Sequence, residues 1–401
     1  MSDMQQDVPH PGFFAVDFYC GAGGTTRGMI DAGGYVIAGI DKDETCWKTY
    51  VRNNSNTSLD REPPQYLALD MFEASDDYPE GQQQEVWEQL RRLIPQFRNR
   101  FPNLPLMFAI CAPCQSFTKF VQRNMTEKRS ETRMRDQNLL AQTLDFIDEF
   151  EPELVMSENV ASIKTGRLRH VWQDFRNSLI LMGYDVDDRR VCASNFGIPQ
   201  RRRRSILIAI KRQELRRQEQ PVLIPEQDVD AELQTVQQAI DHLPSLDPGD
   251  ESMDVPNHVC RNLTELNRKR LMALQPGEPN FNLANSDFGD LSLDCHRRLE
   301  AKGKRGFGDV YTRMRPDRPS PTITTRFHSV SNGRFGHYAP QQVRAISLRE
   351  GAALQSFSDD YQFYGTGMDP IARMIGNAVP PVLARFMSQW AVNQWQERSH
   401  A

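Results

Sequence analysis

Cys114 stands where a cysteine could act as a nucleophile. It follows the apolar run Leu106–Cys111, which predicts one buried strand, and Pro113, which cannot donate to a strand ladder and should end that strand. We therefore expect the Cys114 thiol at a strand end, where it can be exposed and activated. The alternative is that Cys111 and Cys114 form a Cys-x-x-Cys pair for zinc or a disulfide. A structural zinc site needs a second ligand pair, and none stands at ligand spacing elsewhere in the sequence.

A carboxylate follows the next predicted strand. The run Leu154-Val155-Met156 predicts a short strand, and Glu158 lies at its end. Because the carboxyl ends of parallel strands meet at one edge of a sheet, we expect Glu158 to face the same edge as Cys114. The alternative interpretation is an acid that stabilises a helix N-terminus through the helix dipole.

An arginine run leads directly into another predicted strand. Arg201 to Arg204 precede the apolar segment Ser205–Ile210, which reads as a buried strand. Alternation along a strand sends Arg202 and Arg204 to one face and the other two arginines to the opposite face. A solvated basic patch or a targeting signal is the alternative, and the direct junction with a buried strand argues against it.

A glycine turn near the start of the chain suits a nucleotide-like ligand. Phe13–Tyr19 predicts a buried strand, Gly21-Ala22-Gly23-Gly24 follows it, and a helix is expected from Thr25. The third glycine position of a dinucleotide fingerprint is occupied by Thr26, so the turn alone leaves an NAD-dependent oxidoreductase open.

Acids end the next two predicted strands. Ile37–Ile40 leads to Asp41, and Tyr66–Leu69 leads to Asp70. An acid at the end of the second strand is the usual partner of ribose hydroxyls. Since these acids should meet the glycine turn at the carboxyl edge of a parallel sheet, the pattern predicts an α/β fold that binds its ligand there. Helices are expected at 80–100, 138–150 and 171–182, and a basic polar loop at 118–135.

Composition sets the class of protein. The 401 residues are 39% hydrophobic and 25% charged, which is ordinary for a globular protein with two or three domains. The first eleven residues do not resemble a signal peptide, and no apolar run approaches transmembrane length. Seven cysteines, an odd number, predict a reducing cytosol rather than a disulfide framework.

Charge is segregated along the chain although the formal net charge is only −5. Residues 196–217 carry eight Lys or Arg and one acid, whereas residues 218–258 carry ten acids and no Lys or Arg. Such segregation can build one basic face that suits a phosphate backbone. A solvated charge run is the alternative for either segment by itself.

Five motifs in one order give the chain a family resemblance. They are Asp17-Phe18-Tyr19-Cys20-Gly21-Ala22-Gly23, Pro113-Cys114-Gln115, Glu158-Asn159-Val160, Gln200-Arg201-Arg202-Arg203-Arg204 and Gly376-Asn377-Ala378-Val379. From residue 13 to about residue 395 the chain resembles the DNA (cytosine-5)-methyltransferases. It departs from the family at Tyr19, where Phe is usual, and at Lys42, where an aromatic side chain often flanks the adenine. The segment 71–104 is longer than in compact members.

The resemblance implies a fold and its domains. The expected fold is a Rossmann-like, S-adenosylmethionine-dependent methyltransferase fold of the α/β class with a smaller target-recognition domain. The implied domains are 12–212 for catalysis and cofactor binding, 213–371 for target recognition, and 372–401 for a C-terminal helix that returns to the catalytic domain beside the first strand. Basic clusters at 262–274 and 294–306 could contact phosphates.

The resemblance also implies the roles of individual residues. Cys114 would add to C6 of cytosine, Glu158 would hydrogen-bond N3, and Arg204, with Arg202 close by, would bind O2. S-adenosylmethionine is the implied cofactor. Its implied contacts are Asp17, Tyr19, Gly21, Gly23, Asp41, Asp70, Met71, Pro113, Leu139, Asn377 and Val379. No metal site is implied.

The implied substrate is double-stranded DNA with the target cytosine flipped out of the stack. The expected protein is a cytoplasmic, nucleoid-associated bacterial monomer, with an endonuclease or other defence protein as a possible genetic partner and no membrane association. Three alternatives stay open: an RNA cytosine-5 methyltransferase, a catalytically silent binding module, and the NAD-dependent oxidoreductase.

Overall fold

The computed structural model describes residues 10–59, 61–113, 138–166, 169–212, 222–226 and 232–399. Cys114 and the loop predicted at 118–135 lie outside these residues. The chain divides into two compact units. Unit 1 comprises Met1–Cys192, Arg203–Asp228 and Val379–Ala401, and unit 2 comprises Ala193–Arg202 and Val229–Ala378. The domain bounds expected from the sequence stay predictions beside this division.

The strands of the described residues are short and mostly buried. In chain order they are β1 (Phe13–Phe18), β2 (Gly34–Ile40), β3 (Gln65–Leu67), β4 (Leu106–Ile110), β5 (Leu154–Val160), β6 (Tyr184–Cys192), β7 (Gln200–Arg201), β8 (Arg203–Lys211) and β9 (Ser320–Pro321). The predicted strands are thus present, with β2 beginning three residues earlier than expected and β3 ending at Leu67 rather than Leu69.

A seven-stranded sheet forms the centre of unit 1, in the order β3-β2-β1-β4-β5-β8-β6. Strands β1 to β5 pair in parallel, which confirms the parallel edge expected from the sequence. Strand β8 is antiparallel to both of its neighbours. The segment 193–202 between β6 and β8 is too short for the crossover that a parallel pair requires, so these strands reverse direction.

Helices follow the strands in an α/β alternation. Within the described residues they are α1 (Gly24–Asp31), α2 (Trp47–Asn53), α3 (Gln83–Arg100), α4 (Leu144–Phe150), α5 (Arg169–Leu181), α6 (Val236–Ile240), α7 (Glu265–Met272), α8 (Asp294–Glu300), α9 (Leu348–Leu354), α10 (Met368–Asn377) and α11 (Pro381–Ser399). The helix expected at 138–150 begins only at Leu144, after a 3-10 turn at Ala141–Thr143. None of the described helices is long and apolar enough to cross a membrane.

Apolar side chains on both faces of the sheet hold unit 1 together. Helix α3 buries Val86, Leu90, Leu93 and Ile94, the spacing that predicted it. Between sheet and helices, the ring of Phe18 packs edge-on against Phe108 with centroids 5.0 Å apart. This packing fixes the strand ends from which the site residues project.

The last helix, α11, belongs to unit 1 although it comes from the end of the chain. It packs against α1, the helix that follows β1, and against β5 and β8; its expected place beside the first strand stays a prediction. Gly28 permits the close crossing with α1, because a Cβ atom there would lie 2.4 Å from the Pro381 carbonyl oxygen and 2.5 Å from the Ala384 Cβ.

Unit 2 is built around buried polar groups rather than a large sheet. Strands β7 and β9 pair in parallel. Arg344 donates to both carboxylate oxygens of Glu350, each at 2.7 Å, and both side chains are buried. The Nε2 atom of His337 lies 3.4 Å from the same carboxylate, and Ser347 and Glu350 form the capping box of α9. These contacts hold the segment 337–354 in one arrangement.

Candidate functional site

The glycine turn after β1 has a backbone that only a few residue types adopt easily. The φ angles are +62° at Tyr19, +50° at Gly21 and +92° at Gly23. Glycine occupies two of the three positions because it carries no steric penalty there. Helix α1 starts directly after the turn at Gly24 with no side-chain cap, so its N-terminus offers backbone N–H groups to a ligand.

Two predicted cofactor residues meet through one hydrogen bond. The hydroxyl of Tyr19 donates to the carbonyl oxygen of Leu139 at 2.7 Å, although 120 residues separate them. Leu139 is buried and Tyr19 is half-buried. The phenol that stands where the family usually has Phe therefore anchors the chain before α4.

Asp41 ties the glycine turn to the end of β2. One carboxylate oxygen accepts the N–H of Gly21 at 2.9 Å, and the other accepts the N–H of Asp43 at 2.9 Å. Burial raises the pKa of Asp41, with a further contribution from the charge of Asp43, while the two backbone donors and the charge of Lys42 oppose the rise. The structure thus places Asp41 beside the turn, as the sequence predicted.

Asp70 lies at the same edge, after β3, with three donors around its carboxylate. Oδ1 accepts the N–H of Phe72 at 3.0 Å, and Oδ2 accepts the hydroxyl of Tyr78 at 2.6 Å and the ammonium of Lys42 at 3.3 Å. Met71, also predicted to contact the cofactor, is buried next to it.

The long segment 71–104 supports Asp70. Besides Tyr78, it supplies Gln82, whose side-chain oxygen accepts the N–H of Asp70 at 3.3 Å. Sequence reasoning missed both residues. The only indication of this role in the sequence is that Tyr78 is an aromatic residue in an otherwise polar run.

Asp17 is fully buried below the turn. One carboxylate oxygen accepts the hydroxyl of Thr26 at 2.6 Å, and the other has no hydrogen-bond partner among the described residues. Burial is the largest cause that raises the pKa of Asp17 to about 7, against the hydrogen bonds from Thr26. A carboxyl group with an orphaned oxygen at this position can take a proton or a positively charged ligand group.

Glu158 and Arg204 form an ion pair at the far side of the same edge. The Nε atom of Arg204 lies 2.7 Å from Oε1 of Glu158, and the side chains are only 11% and 8% exposed. The pair follows from the antiparallel register of β5 and β8, in which Val160 lies opposite Arg204. Two of the four residues that the resemblance assigned to catalysis are therefore in contact.

The end of β4 is fastened to β5 beside this ion pair. Ser157 Oγ donates to the carbonyl of Ile110 at 2.6 Å, and Asn159 Nδ2 donates to the carbonyl of Ala112 at 3.2 Å. Pro113 follows at once and is exposed. The described chain thus reaches Pro113, one residue before Cys114, next to the strand that carries Glu158.

Cys111 does not have the surroundings of a reactive thiol. Burial raises its pKa well above the usual range, and the negative charges of Glu158 and Asp17 raise it further. Such a thiol stays neutral and unreactive. Among the described residues, no group of three or more His, Cys, Asp or Glu side chains could hold a metal ion.

The arginine run alternates in burial as predicted, with Arg202 and Arg204 buried and Arg201 and Arg203 exposed. The two buried guanidinium groups nevertheless have different partners. Arg202, in unit 2, donates to the carbonyl oxygens of Ala378 at 3.0 Å and Gly376 at 3.4 Å. It therefore binds the chain at the end of α10, whereas Arg204, in unit 1, binds Glu158.

The last motif spans the boundary between the units. Asn377 ends α10 in unit 2 and is exposed, while Val379 begins the final segment of unit 1 and is buried. Gly376 lies against the backbone of Thr324, since a Cβ atom there would be 2.5 Å from that residue's carbonyl carbon. The backbone at Thr324 and Thr325 thus contacts α10.

Comparison with known proteins adds to this geometry. The profile of the C-5 cytosine-specific DNA methylase family matches residues 68–390. The type II methylase M.HgiDII of Herpetosiphon aurantiacus is 31% identical over 388 residues, which cover 96% of this chain and 96% of the relative. The type II methyltransferase M.DdeI of Desulfomicrobium norvegicum is 26% identical over 410 residues, which cover 93% of this chain and 87% of the relative.

Solved structures share the fold. A protein described as a DNA modification methyltransferase encoded within an E. coli prophage superposes with a TM-score of 0.60 at 19% identity, covering 95% of this chain and 99% of the other. The Entamoeba histolytica methyltransferase EhMeth gives a TM-score of 0.56 at 13% identity, covering 95% and 98%. The predicted fold class is therefore confirmed.

Proposed function

The chain belongs to the C-5 cytosine-specific DNA methylase family and is a DNA (cytosine-5)-methyltransferase; from this premise we propose that it takes the methyl group from S-adenosylmethionine and acts on a cytosine flipped out of duplex DNA. The observation that carries the proposal is the buried ion pair of Glu158 and Arg204, beside the strand end that leads to Cys114. A base can reach these side chains only when it is flipped out of the stack, because its reacting atoms are covered in a duplex.

The residues at the edge of the sheet fit S-adenosylmethionine. The turn at Gly21 and Gly23 and the uncapped start of α1 leave backbone donors for a ligand, and Asp41 offers carboxylate oxygens suited to ribose hydroxyls. The orphaned oxygen of Asp17 and the carboxylate of Asp70 add acceptors for a ligand that carries positive charge. When bound, S-adenosylmethionine supplies an electrophilic methyl group.

In the proposed mechanism Cys114 supplies the nucleophile. Its thiolate adds to C6 of the cytosine, so that electron density rises at C5, which is otherwise too weak a nucleophile to take a methyl group. Removal of the C5 proton and departure of the Cys114 sulfur from C6 then restore the aromatic base. Cys111 cannot take this role, because its buried thiol stays neutral.

Glu158 and Arg204 hold the pyrimidine ring while Cys114 reacts. Glu158, once it carries a proton, donates a hydrogen bond to N3, and the guanidinium of Arg204 binds O2 and stabilises negative charge that develops on the ring. The contact between the two side chains positions both groups beside each other before the base arrives. Arg202 has a supporting role in this proposal, since it binds the end of α10.

The biological setting is part of the same proposal. The relatives are named as type II methylases and methyltransferases of bacteria, which supports a restriction-modification or other defence system with an endonuclease as genetic partner. We propose that the protein works in the bacterial cytoplasm as a monomer on nucleoid DNA. Target recognition is assigned to 213–371, whose described part falls largely in unit 2.

A mechanism-based trap tests the chemistry. Bisulfite sequencing of DNA from cells that express the chain first identifies the methylated cytosine. A duplex with 5-fluorocytosine at that position should then form a stable covalent complex in the presence of S-adenosylmethionine, because fluorine cannot leave C5 as a cation and elimination stops.

A denaturing gel and peptide mapping give the result of this trap. We expect an adduct at Cys114 that is lost in Cys114→Ala and retained in Cys111→Ala, the matched control. An adduct at Cys111, or none on a duplex that is methylated when it carries ordinary cytosine, would overturn the role of Cys114.

A further inference from the structure

Lys42 occupies an unusual place at the cofactor edge. It directly follows Asp41 at the end of β2, and its ammonium lies 3.3 Å from Oδ2 of Asp70. The side chain of Asp70 is only 7% exposed, whereas that of Lys42 is 55% exposed. A lysine thus covers a nearly buried acid at the position where an aromatic residue would be expected.

The donors around Asp70 leave room for one further hydrogen bond to its carboxylate. Phe72 N–H binds Oδ1, while the Tyr78 hydroxyl and Lys42 bind Oδ2. An ionised carboxylate has about four acceptor sites, so one remains, and it lies on Oδ1. Lys42 and Tyr78 therefore fix the orientation of the carboxylate without occupying the remaining acceptor site on Oδ1.

Lys42 also stands among negative charges. The acids near it are Asp41, Asp43 and Asp70. The titratable groups Tyr66, Cys20 and Cys46 lie beside Asp41, and burial raises the pKa values of Tyr66 and Cys20, which stay neutral. Among these described groups only Lys42 is positive, and its charge opposes the rise in the pKa of Asp41.

We propose that Lys42 is a positioning residue for the cofactor, which keeps the carboxylate of Asp70 in place to accept a hydrogen bond from the adenosine group. The inference rests on the proposed function, which puts S-adenosylmethionine at this edge. In this inference the ion pair of Lys42 and Asp70, rather than stacking of an aromatic ring, positions the adenosine group. Lys42→Met removes the charge and retains the length of the side chain, so it isolates this contribution.

Ligand binding without turnover provides the first test. Calorimetry measures the dissociation constants of S-adenosylhomocysteine and of S-inosylhomocysteine, in which an oxygen replaces the adenine amino group. The wild-type protein should prefer the amino form, because Asp70 accepts from an N–H and repels an oxygen. In Lys42→Met we expect about fivefold weaker binding of S-adenosylhomocysteine and an about threefold smaller preference, since Asp70 is no longer held.

The pH dependence of binding provides the second test. Affinity should fall at low pH as Asp41 takes a proton and no longer accepts from the ribose hydroxyls. Without the charge of Lys42 the pKa of Asp41 rises further, so the acid limb in Lys42→Met should move to higher pH. Lys42→Arg retains the charge. It should therefore have the wild-type affinity for S-adenosylhomocysteine, the wild-type preference over S-inosylhomocysteine and the wild-type pH profile of binding.

Lys48→Met is the matched control, because Lys48 is an exposed lysine on the neighbouring helix α2. The proposal is overturned if Lys42→Met binds like wild type, if it binds more weakly with an unchanged preference and an unchanged pH profile, or if Lys48→Met gives the same changes. Should Lys42→Met not fold, Lys42→Gln gives the same comparison. A wild-type protein that binds no S-adenosylhomocysteine would instead refute the proposed cofactor.

Discussion

At the scale of single residues, the candidate site depends on which partner each charged side chain has. Glu158 pairs with Arg204, while Arg202 binds the end of α10. Asp17 is buried and Asp41 half-buried near the glycine turn, yet Asp41 has a donor on each oxygen and Asp17 on only one. Residues of the same type thus have different chemistry because their neighbours differ.

Replacing Glu158 by Gln should slow the chemical step and leave cofactor binding intact. The amide keeps the shape but cannot exchange a proton with N3, and loss of such a group costs roughly 10²- to 10⁴-fold in rate. Single-turnover methylation measures the step directly. Glu149→Gln is the control, since Glu149 forms an exposed ion pair with Arg91 that should matter little. Equal single-turnover rates in Glu158→Gln and wild type would contradict the assigned role.

Asp17 should make the protein less stable as pH rises from about 4 to about 7. Its pKa is about 7 in the folded chain, against 3.8 for an aspartate side chain free in water, so in this window the folded state keeps a proton that the unfolded state has lost. Stability from this group is complete below the window and is lost as the pH rises through it, with a slope of at most about 1.4 kcal/mol per pH unit.

Urea unfolding at several pH values checks this prediction. Asp17→Asn cannot titrate, so its free energy of unfolding relative to wild type should increase steadily across the window. Asp31→Asn, a change in an exposed ion pair with Arg27, should show no such trend. A difference between Asp17→Asn and wild type that does not vary with pH would show that Asp17 is ionised throughout.

At the scale of elements, the close crossing of α1 and α11 holds the glycine turn in place. Helix α1 begins at the last glycine of the turn, and α11 comes from the far end of the chain to cover it. The crossing also brings α11 to β5, where Ser388 Oγ lies 3.6 Å from the Met156 sulfur. The end of the chain therefore supports both the cofactor turn and the strand that carries Glu158.

Gly28→Ala should destabilise the protein by about 1 to 3 kcal/mol, because the added Cβ would lie 2.4 Å from the Pro381 carbonyl and force the helices apart. Urea unfolding measures the loss. Gly12→Ala is the matched control, since nothing lies within 4 Å of a Cβ atom at Gly12. If the two variants were equally stable, the helices would not be in close contact at Gly28.

At the scale of the whole molecule, the residues proposed for catalysis and the region proposed for recognition fall largely in different units. Glu158, Arg204 and the cofactor turn lie in unit 1, whereas most of the region assigned to recognition lies in unit 2. Unit 2 has its own buried polar network around Arg344 and Glu350, which stabilises it independently of the sheet of unit 1. Because each unit has its own buried core, the amino-acid sequence of one unit can change while that of the other is retained.

Exchanging residues 213–315 for the matching region of a relative should change the methylated DNA sequence and leave the chemistry unchanged. The exchange leaves Arg344 and Glu350 in place, as well as every residue assigned to catalysis. Bisulfite sequencing reads the new site, and single-turnover rates on that site should stay within about tenfold of wild type. A folded hybrid that still methylates the original sequence would place recognition outside this region.

The sequence by itself determined the family, the α/β alternation and the strand ends at which the candidate residues lie. Strand and helix periods and glycine turns are local properties, so Asp41, Asp70 and Glu158 could be assigned to one sheet edge from the pattern alone. The family resemblance then supplied the roles of these residues. Burial of Arg202 and Arg204 on alternate positions was likewise predictable.

Only the tertiary structure decided which residues meet. The antiparallel direction of β8 brings Arg204 to Glu158, the segment 71–104 brings Tyr78 to Asp70, and Lys42 completes that cluster. Glu158 and Arg204, like Lys42 and Asp70, are far apart in the sequence, while Tyr78 is eight residues from Asp70, and no local period relates any of these pairs. Their contacts follow from how the strands and helices pack, because a side chain's partner is set by the neighbouring element and not by its own.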